Sequence, residues 1–296
     1  MFTGLTVAMV TPFRQGKVDW EAVDRLVDHL LAGGVDGIVP SGSTGESPTL
    51  STDERRELFR RVRTRVGRRA FILAGTGTNS TEGTLAQTRL AREERADGAL
   101  VVTPYYNKPT QAGLYAHFRR VAEEGGLPVC LYNVPGRTGV SLQPETVRRL
   151  AAVPGIVAIK EASGSLDQVS EICRDAPLTV LCGDVSLTVP MLAVGARGVI
   201  SVVGNLVPRP LQEMLTAFAA GNQARALELH RALFDLGRIL FIESNPGPIK
   251  YALARAGLID GEPRLPLVGV SDESARKIDA VLDALPAEWR AGGARP

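Results

Sequence analysis

Lys160 closes the apolar run Ile156-Val157-Ala158-Ile159 and is followed at once by Glu161 and a small, flexible segment, Ala162-Ser163-Gly164. Arginine supplies most of the basic residues of this chain, so a lysine at the end of a buried strand needs a reason. Unpaired buried lysines are rare, and one reading is a buried ion pair with Glu161 or Asp184. The other reading is chemical: burial favours the neutral amine, a nucleophile able to form a Schiff base with a carbonyl compound. Tyr132 ends the preceding apolar run, where its phenol can pass protons to and from a carbinolamine. Taken alone, such a tyrosine is more often a half-buried packing residue. The stretch Gly42-Ser43-Thr44-Gly45-Glu46 offers hydroxyls and backbone N–H groups in a tight turn before a helix. That is a nest suited to a carboxylate, or else an ordinary loop with a helix cap.

Other chemistries find less support. His29, His117 and His230 all fall in helical stretches, away from the strand ends, so each reads as a packing or surface residue. A metal-dependent aldolase or hydrolase would place histidine or carboxylate clusters at those ends. The glycine-serine segment does not match GxSxG, and there is no GxxxxGK for nucleotide phosphates. Among the remaining lysines, Lys17 lies in a turn, Lys108 in a loop, and Lys250 and Lys277 in C-terminal helices. Only Lys160 ends a strand pointing inward.

The elements that must position these groups are legible as an alternation. Short β-branched runs at 5–10, 36–40, 70–75, 98–103, 128–133, 155–160, 178–183 and 198–203 are separated by longer amphipathic stretches. Between the first two, Trp20, Val23, Leu26, Val27, Leu30 and Leu31 recur at helical spacing. Ser51-Thr52 followed by acids is a helix start. About eight βα repeats at even spacing predict a closed α/β architecture, the (β/α)8 barrel, in preference to an open doubly wound sheet. After residue 207 the strand signal stops. The expected division is a barrel over residues 1–222 and a small C-terminal helical domain over 223–296.

Composition narrows the class further. With 296 residues, 44% of them hydrophobic, the chain can bury a large core, and a net charge of +2 leaves no footprint for nucleic acid. No apolar run approaches the ~20 residues that span a bilayer. The first residues lack a basic start and a small-residue cleavage site, and read as a first strand. Cys130, Cys173 and Cys182 are odd in number with no CxxC spacing, which suits a reduced cytoplasmic setting.

Taken together, the segments Gly42–Ser47, Thr103–Asn107, Tyr132–Gly139, Ile159–Gly164 and Asn245–Lys250 resemble the pyruvate-dependent class I aldolases, most closely the dihydrodipicolinate synthase family. The similarity runs from Phe2 to about Leu267 in matching order and spacing. What it implies can be carried over by position. Lys160 would form the imine with pyruvate and Tyr132 would be proton donor and acceptor. Ser43 and Tyr106 would complete a hydroxyl relay, the second tyrosine coming from a neighbouring subunit. Thr44, Ile200 through its backbone, and Gly183 would contact substrate. Arg137 would clamp the carboxylate of the incoming aldehyde, aspartate 4-semialdehyde. The resemblance implies no metal or organic cofactor and a homotetramer of tight dimers.

Two departures stand out. Position 43 is Ser where the family usually has Thr, which loses the β-branch that limits rotation. Gly83 and Arg55 occupy the glutamate and histidine positions of the lysine-inhibition pocket, alongside Ser47, Asn79 and Tyr105, so feedback by lysine should be weak or absent. Sibling aldolases acting on N-acetylneuraminate, 2-keto-3-deoxygluconate or 4-hydroxy-2-oxoglutarate share the lysine and tyrosine. Arg137 and the paired Tyr105-Tyr106 favour the synthase. A barrel that merely senses a 2-oxo acid would need the nest but not Lys160 together with Tyr132.

Overall fold

A computed structural model of the chain describes residues 1–289. Strand β1 (Gly4–Ala8) is followed by a two-rung hairpin, β2 (Phe13–Arg14) and β3 (Lys17–Val18), so Lys17 lies in that hairpin rather than in a bare turn. Seven further strands come in order: β4 (Gly37–Val39), β5 (Phe71–Gly75), β6 (Gly98–Val102), β7 (Val129–Asn133), β8 (Ile156–Glu161), β9 (Thr179–Cys182) and β10 (Gly198–Ser201). Each apolar run singled out in the sequence carries one of them. β1 pairs in parallel with both β10 and β4, which closes the sheet and eliminates the open doubly wound alternative.

The helices form where the sequence provides both an apolar stripe and a cap. The helix Trp20–Ala32 buries Val23, Leu26, Val27 and Leu30, and the Asp19 carboxylate accepts the Ala22 N–H at its start. The helix Thr52–Val66 opens with a reciprocal capping box between Ser51 and Glu54. Most of its arginines face outward and pair with acids, Arg61 with Asp24 and Glu57 among them, whereas Arg55 is buried and donates to the Ser47 carbonyl. From Gln223 onward the chain is helical, at Gln223–Ile239, Gly247–Arg255 and Asp272–Ala284. No helix among the described residues is long and apolar enough to cross a membrane.

Strand alternation decides which side chains enter the barrel. On β8, Ile159 packs outward against the helices, whereas Ala158 belongs to the interior cluster. Lys160 shares the parity of Ala158 and therefore points inside. On β7, Leu131 packs outward and Cys130 and Tyr132 inward. Tyr132 and Lys160 are register partners across the β7–β8 pair. A one-residue slip in either strand would send one of them to the helix side.

Candidate active site

Lys160 and Tyr132 meet at the C-terminal mouth of the barrel, only 5% and 8% exposed respectively. The Lys160 Nζ lies over the Tyr132 ring, 4.2 Å from its centroid. Neither acid weighed as an ion-pair partner reaches this amine. Glu161 points to the other face, where it accepts from Asn133 Nδ2, the Ser163 N–H and Gln168 Nε2. Asp184 accepts from the backbone and hydroxyl of Ser186. Among the described residues Lys160 makes no ion pair, so the structural reading of this lysine loses its support.

Gly183, at the end of β9, is what gives the lysine its space. A Cβ there would lie 3.1 Å from Lys160 Cε and 2.6 Å from Ala162 Cβ. The 42–46 turn supplies the opposite wall. Within it the N–H groups of Gly45 and Glu46 bond back to Gly42 and Ser43, and Thr11 Oγ1 donates to the Gly45 carbonyl. No acceptor among the described residues takes the N–H groups of Ser43 and Thr44. The nest is thus these two amides together with the Thr44 hydroxyl. That hydroxyl accepts the amide of Asn245, a buried residue of the segment that returns over the barrel mouth. With its oxygen so engaged, the Thr44 proton is free to be donated toward the cavity.

Lys160, Tyr132, Ser43, Thr44, Arg137 and Gly183 line one cavity of about 170 Å³. It runs into a larger cleft of about 370 Å³ that shares Ser43, Tyr132 and Arg137 and extends past Tyr105 and Ser47. Arg137 sits in the single turn Pro135–Thr138 directly after β7, exposed and without a carboxylate partner among the described residues. Ser43 is also exposed, and its hydroxyl has no partner among the described residues.

Two expected residues stand apart from this cluster. Tyr106 is 88% exposed on the 103–107 loop, with a left-handed backbone (φ 75), and does not line the cavity within one chain. Ile200 is fully buried among the apolar side chains of the barrel interior, so any contribution to the cavity comes from its backbone.

Burial disarms other candidate groups. Burial pushes the Cys130 and Cys182 thiols up to about 12, which keeps them protonated and unreactive. Burial holds the His117 imidazole down to about 4, so it stays neutral near pH 7. No cluster of three metal-ligating side chains occurs among the described residues.

Lys250 and Glu46 were not foreseen in the sequence. Both side chains are fully buried and form an ion pair behind the 42–46 turn. The sequence placed Lys250 in a C-terminal helix and gave it no role. Its position in the same Asn245–Lys250 segment as Asn245 was the available signal.

Residues 1–285 match the model of the dihydrodipicolinate synthetase family. The chain belongs to that family. Over 285 residues it is 50% identical to the 4-hydroxy-tetrahydrodipicolinate synthase of Geotalea daltonii, covering 95% of this chain and 98% of the relative. It superposes on the crystal structure of the Acinetobacter baumannii dihydrodipicolinate synthase in complex with pyruvate with a TM-score of 0.93 at 40% identity, covering 96% and 98% of the two chains. A monomeric dihydrodipicolinate synthase variant superposes with a TM-score of 0.94 at 42% identity, covering 95% and 96%. The barrel with C-terminal helices is therefore the fold of the dihydrodipicolinate synthetase family.

Proposed function

We propose that this chain condenses pyruvate with aspartate 4-semialdehyde to give 4-hydroxy-tetrahydrodipicolinate, a step of diaminopimelate and lysine synthesis. One observation carries the conclusion: a buried amine with no counterion among the described residues lies against a phenol, in a cavity whose far wall offers N–H groups that none of those residues accepts.

The keto acid enters with its carboxylate on the Ser43 and Thr44 N–H groups and the Thr44 hydroxyl, which brings its carbonyl carbon to Lys160. The neutral amine adds to that carbon, water leaves, and the protonated imine becomes the electron sink. Tyr132 carries protons to and from the carbinolamine, with Ser43 and a Tyr106 from a second subunit completing the relay. Loss of a methyl proton gives the enamine, whose carbon forms the new bond to the aldehyde carbon. Arg137 holds the carboxylate of that second substrate with its planar fork. The amino group of the semialdehyde then attacks the imine carbon, closes the ring and releases Lys160 as a free amine. Ile200 contributes through its backbone, and Gly183 keeps the lysine's path clear.

The relay requires Tyr106 to be presented to another copy, so a homotetramer of tight dimers is the assembly proposed, with a dimer as the minimum. Three free cysteines suit a cytoplasmic setting. The deciding experiment is a coupled assay of pyruvate with aspartate semialdehyde against the aldehydes of the sibling lyases. Turnover of the semialdehyde well above the others is the expected result, and preference for a sugar-derived aldehyde would reassign the chain to a sibling activity.

A further inference from the structure

The 42–46 turn is held from behind by charges that the mechanism leaves unused. Glu46 adopts a left-handed backbone (φ 54), a conformation that a residue with a Cβ keeps only when its surroundings enforce it. Its Oε2 accepts the Arg264 N–H at 2.8 Å, and among the described residues its Oε1 has no partner other than the Lys250 ammonium. Lys250 Nζ also donates to the Glu262 carbonyl at 2.8 Å and lies 4.1 Å from the centroid of the Phe13 ring. The helix that carries Lys250 follows Asn245, which grips Thr44. One short segment therefore holds the turn at two points, Thr44 and Glu46. A buried ion pair contributes little net stability, so its retention beside a binding loop calls for another reason.

We propose that Lys250 is a positioning residue. Through Glu46 it fixes the 42–46 turn so that the Ser43 and Thr44 donors converge on the keto-acid carboxylate. The inference rests on the proposed pyruvate chemistry of Lys160. Removing the charge leaves Glu46 Oε1 buried without a partner, and the turn relaxes away from the convergent geometry. Because the carboxylate is held alike before and during reaction, the loss falls on KM and spares kcat.

The pair also carries its own pH signature. Burial lowers the Lys250 amine to about 8, against the opposing attraction of Glu46 and Glu262 and reinforced by the nearby Arg264 cation. Above that pH the charge-assisted bond to Glu46 becomes a neutral and weaker one.

The test compares the parent with Lys250→Met, Lys250→Arg and the double variant Glu46→Gln/Lys250→Met. Steady-state KM and kcat are measured with pyruvate across pH, with borohydride trapping of the pyruvate adduct at Lys160 as a control. Lys250→Met is expected to raise the pyruvate KM about tenfold with kcat within about twofold, a split that a merely structural defect does not produce. Lys250→Arg should restore KM and abolish its rise above about pH 8, because a guanidinium stays charged. A parent-like KM in Lys250→Met overturns the proposal. If that variant does not fold, a parent-like pyruvate KM in the double variant, which leaves no unpaired buried charge, overturns it instead. Failure of the parent to trap pyruvate at Lys160 would refute the proposed function, whereas trapping with an unchanged KM refutes only the role of Lys250.

Discussion

Gly183→Ala isolates the space that the Lys160 side chain needs. The backbone of Gly183 is not left-handed, so alanine brings no conformational strain, and the whole effect arises from its Cβ. That atom would sit 2.6 Å from Ala162 Cβ and 3.1 Å from both the Glu161 carbonyl and Lys160 Cε. The first distance cannot be kept, so residue 183 and Ala162 move apart, and the 3.1 Å contact pushes the lysine methylenes by some tenths of an ångström. Overpacking of this kind costs about 1–3 kcal/mol of stability, which lowers Tm by a few degrees. Activity falls as well. A reacting atom displaced by ~1 Å loses about 100-fold, so a shift of several tenths of an ångström predicts a kcat about 4- to 25-fold lower. The assay is steady-state turnover together with the rate of pyruvate trapping by borohydride. Gly269→Ala serves as the control, because its Cβ would meet nothing within 4 Å. A Gly183→Ala enzyme that turns over and traps at the parental rates would refute the placement of the amine described above.

Three further outcomes follow from the structure. Arg137→Lys keeps the charge but loses the bidentate fork, so the KM for the aldehyde should rise about 10- to 100-fold while pyruvate trapping is unchanged; a matching rise in pyruvate KM would contradict this role. His117 is depressed from 6.5 to about 4 by burial, so the unfolded chain binds its proton first as pH falls. The contribution of the neutral imidazole is therefore intact above pH 6.5 and lost progressively toward pH 4, for about 3 kcal/mol in all. A His117→Gln variant should show a shallower loss of Tm over that window, and an unaltered slope would show that other groups control it. Finally, Arg55 is buried against the Ser47 carbonyl and beside Tyr105, and Gly83 supplies no carboxylate, so a lysine cation would meet a like charge without an anion. Addition of lysine below the millimolar range should leave the rate unchanged, and inhibition there would contradict this.

The sequence revealed the parts of the molecule governed by short-range rules. Strand runs ended by polar residues, capped helices such as Ser51–Val66, and the succession of Tyr132 and Lys160 at neighbouring strand ends all depend on local spacing. Parity along β7 and β8 then turns both side chains inward without further information. Long-range contacts were not legible. Lys250 shares its helix with the buried Ile249, Ala252 and Leu253, a pattern that tells which stripe is buried but not that a charge within it meets Glu46, some two hundred residues away. Asn245 reaches Thr44 by the same return of the chain. Tyr106 marks the other limit: a loop residue with left-handed backbone projects outward, and its role depends on a surface that a single chain does not hold.

The most direct measurement of the central claim is borohydride reduction in the presence of pyruvate, followed by peptide mass spectrometry. A single stable adduct on Lys160, absent from Lys160→Arg and from samples without pyruvate, is the predicted result. No adduct, or one on another lysine such as Lys250, would contradict the account.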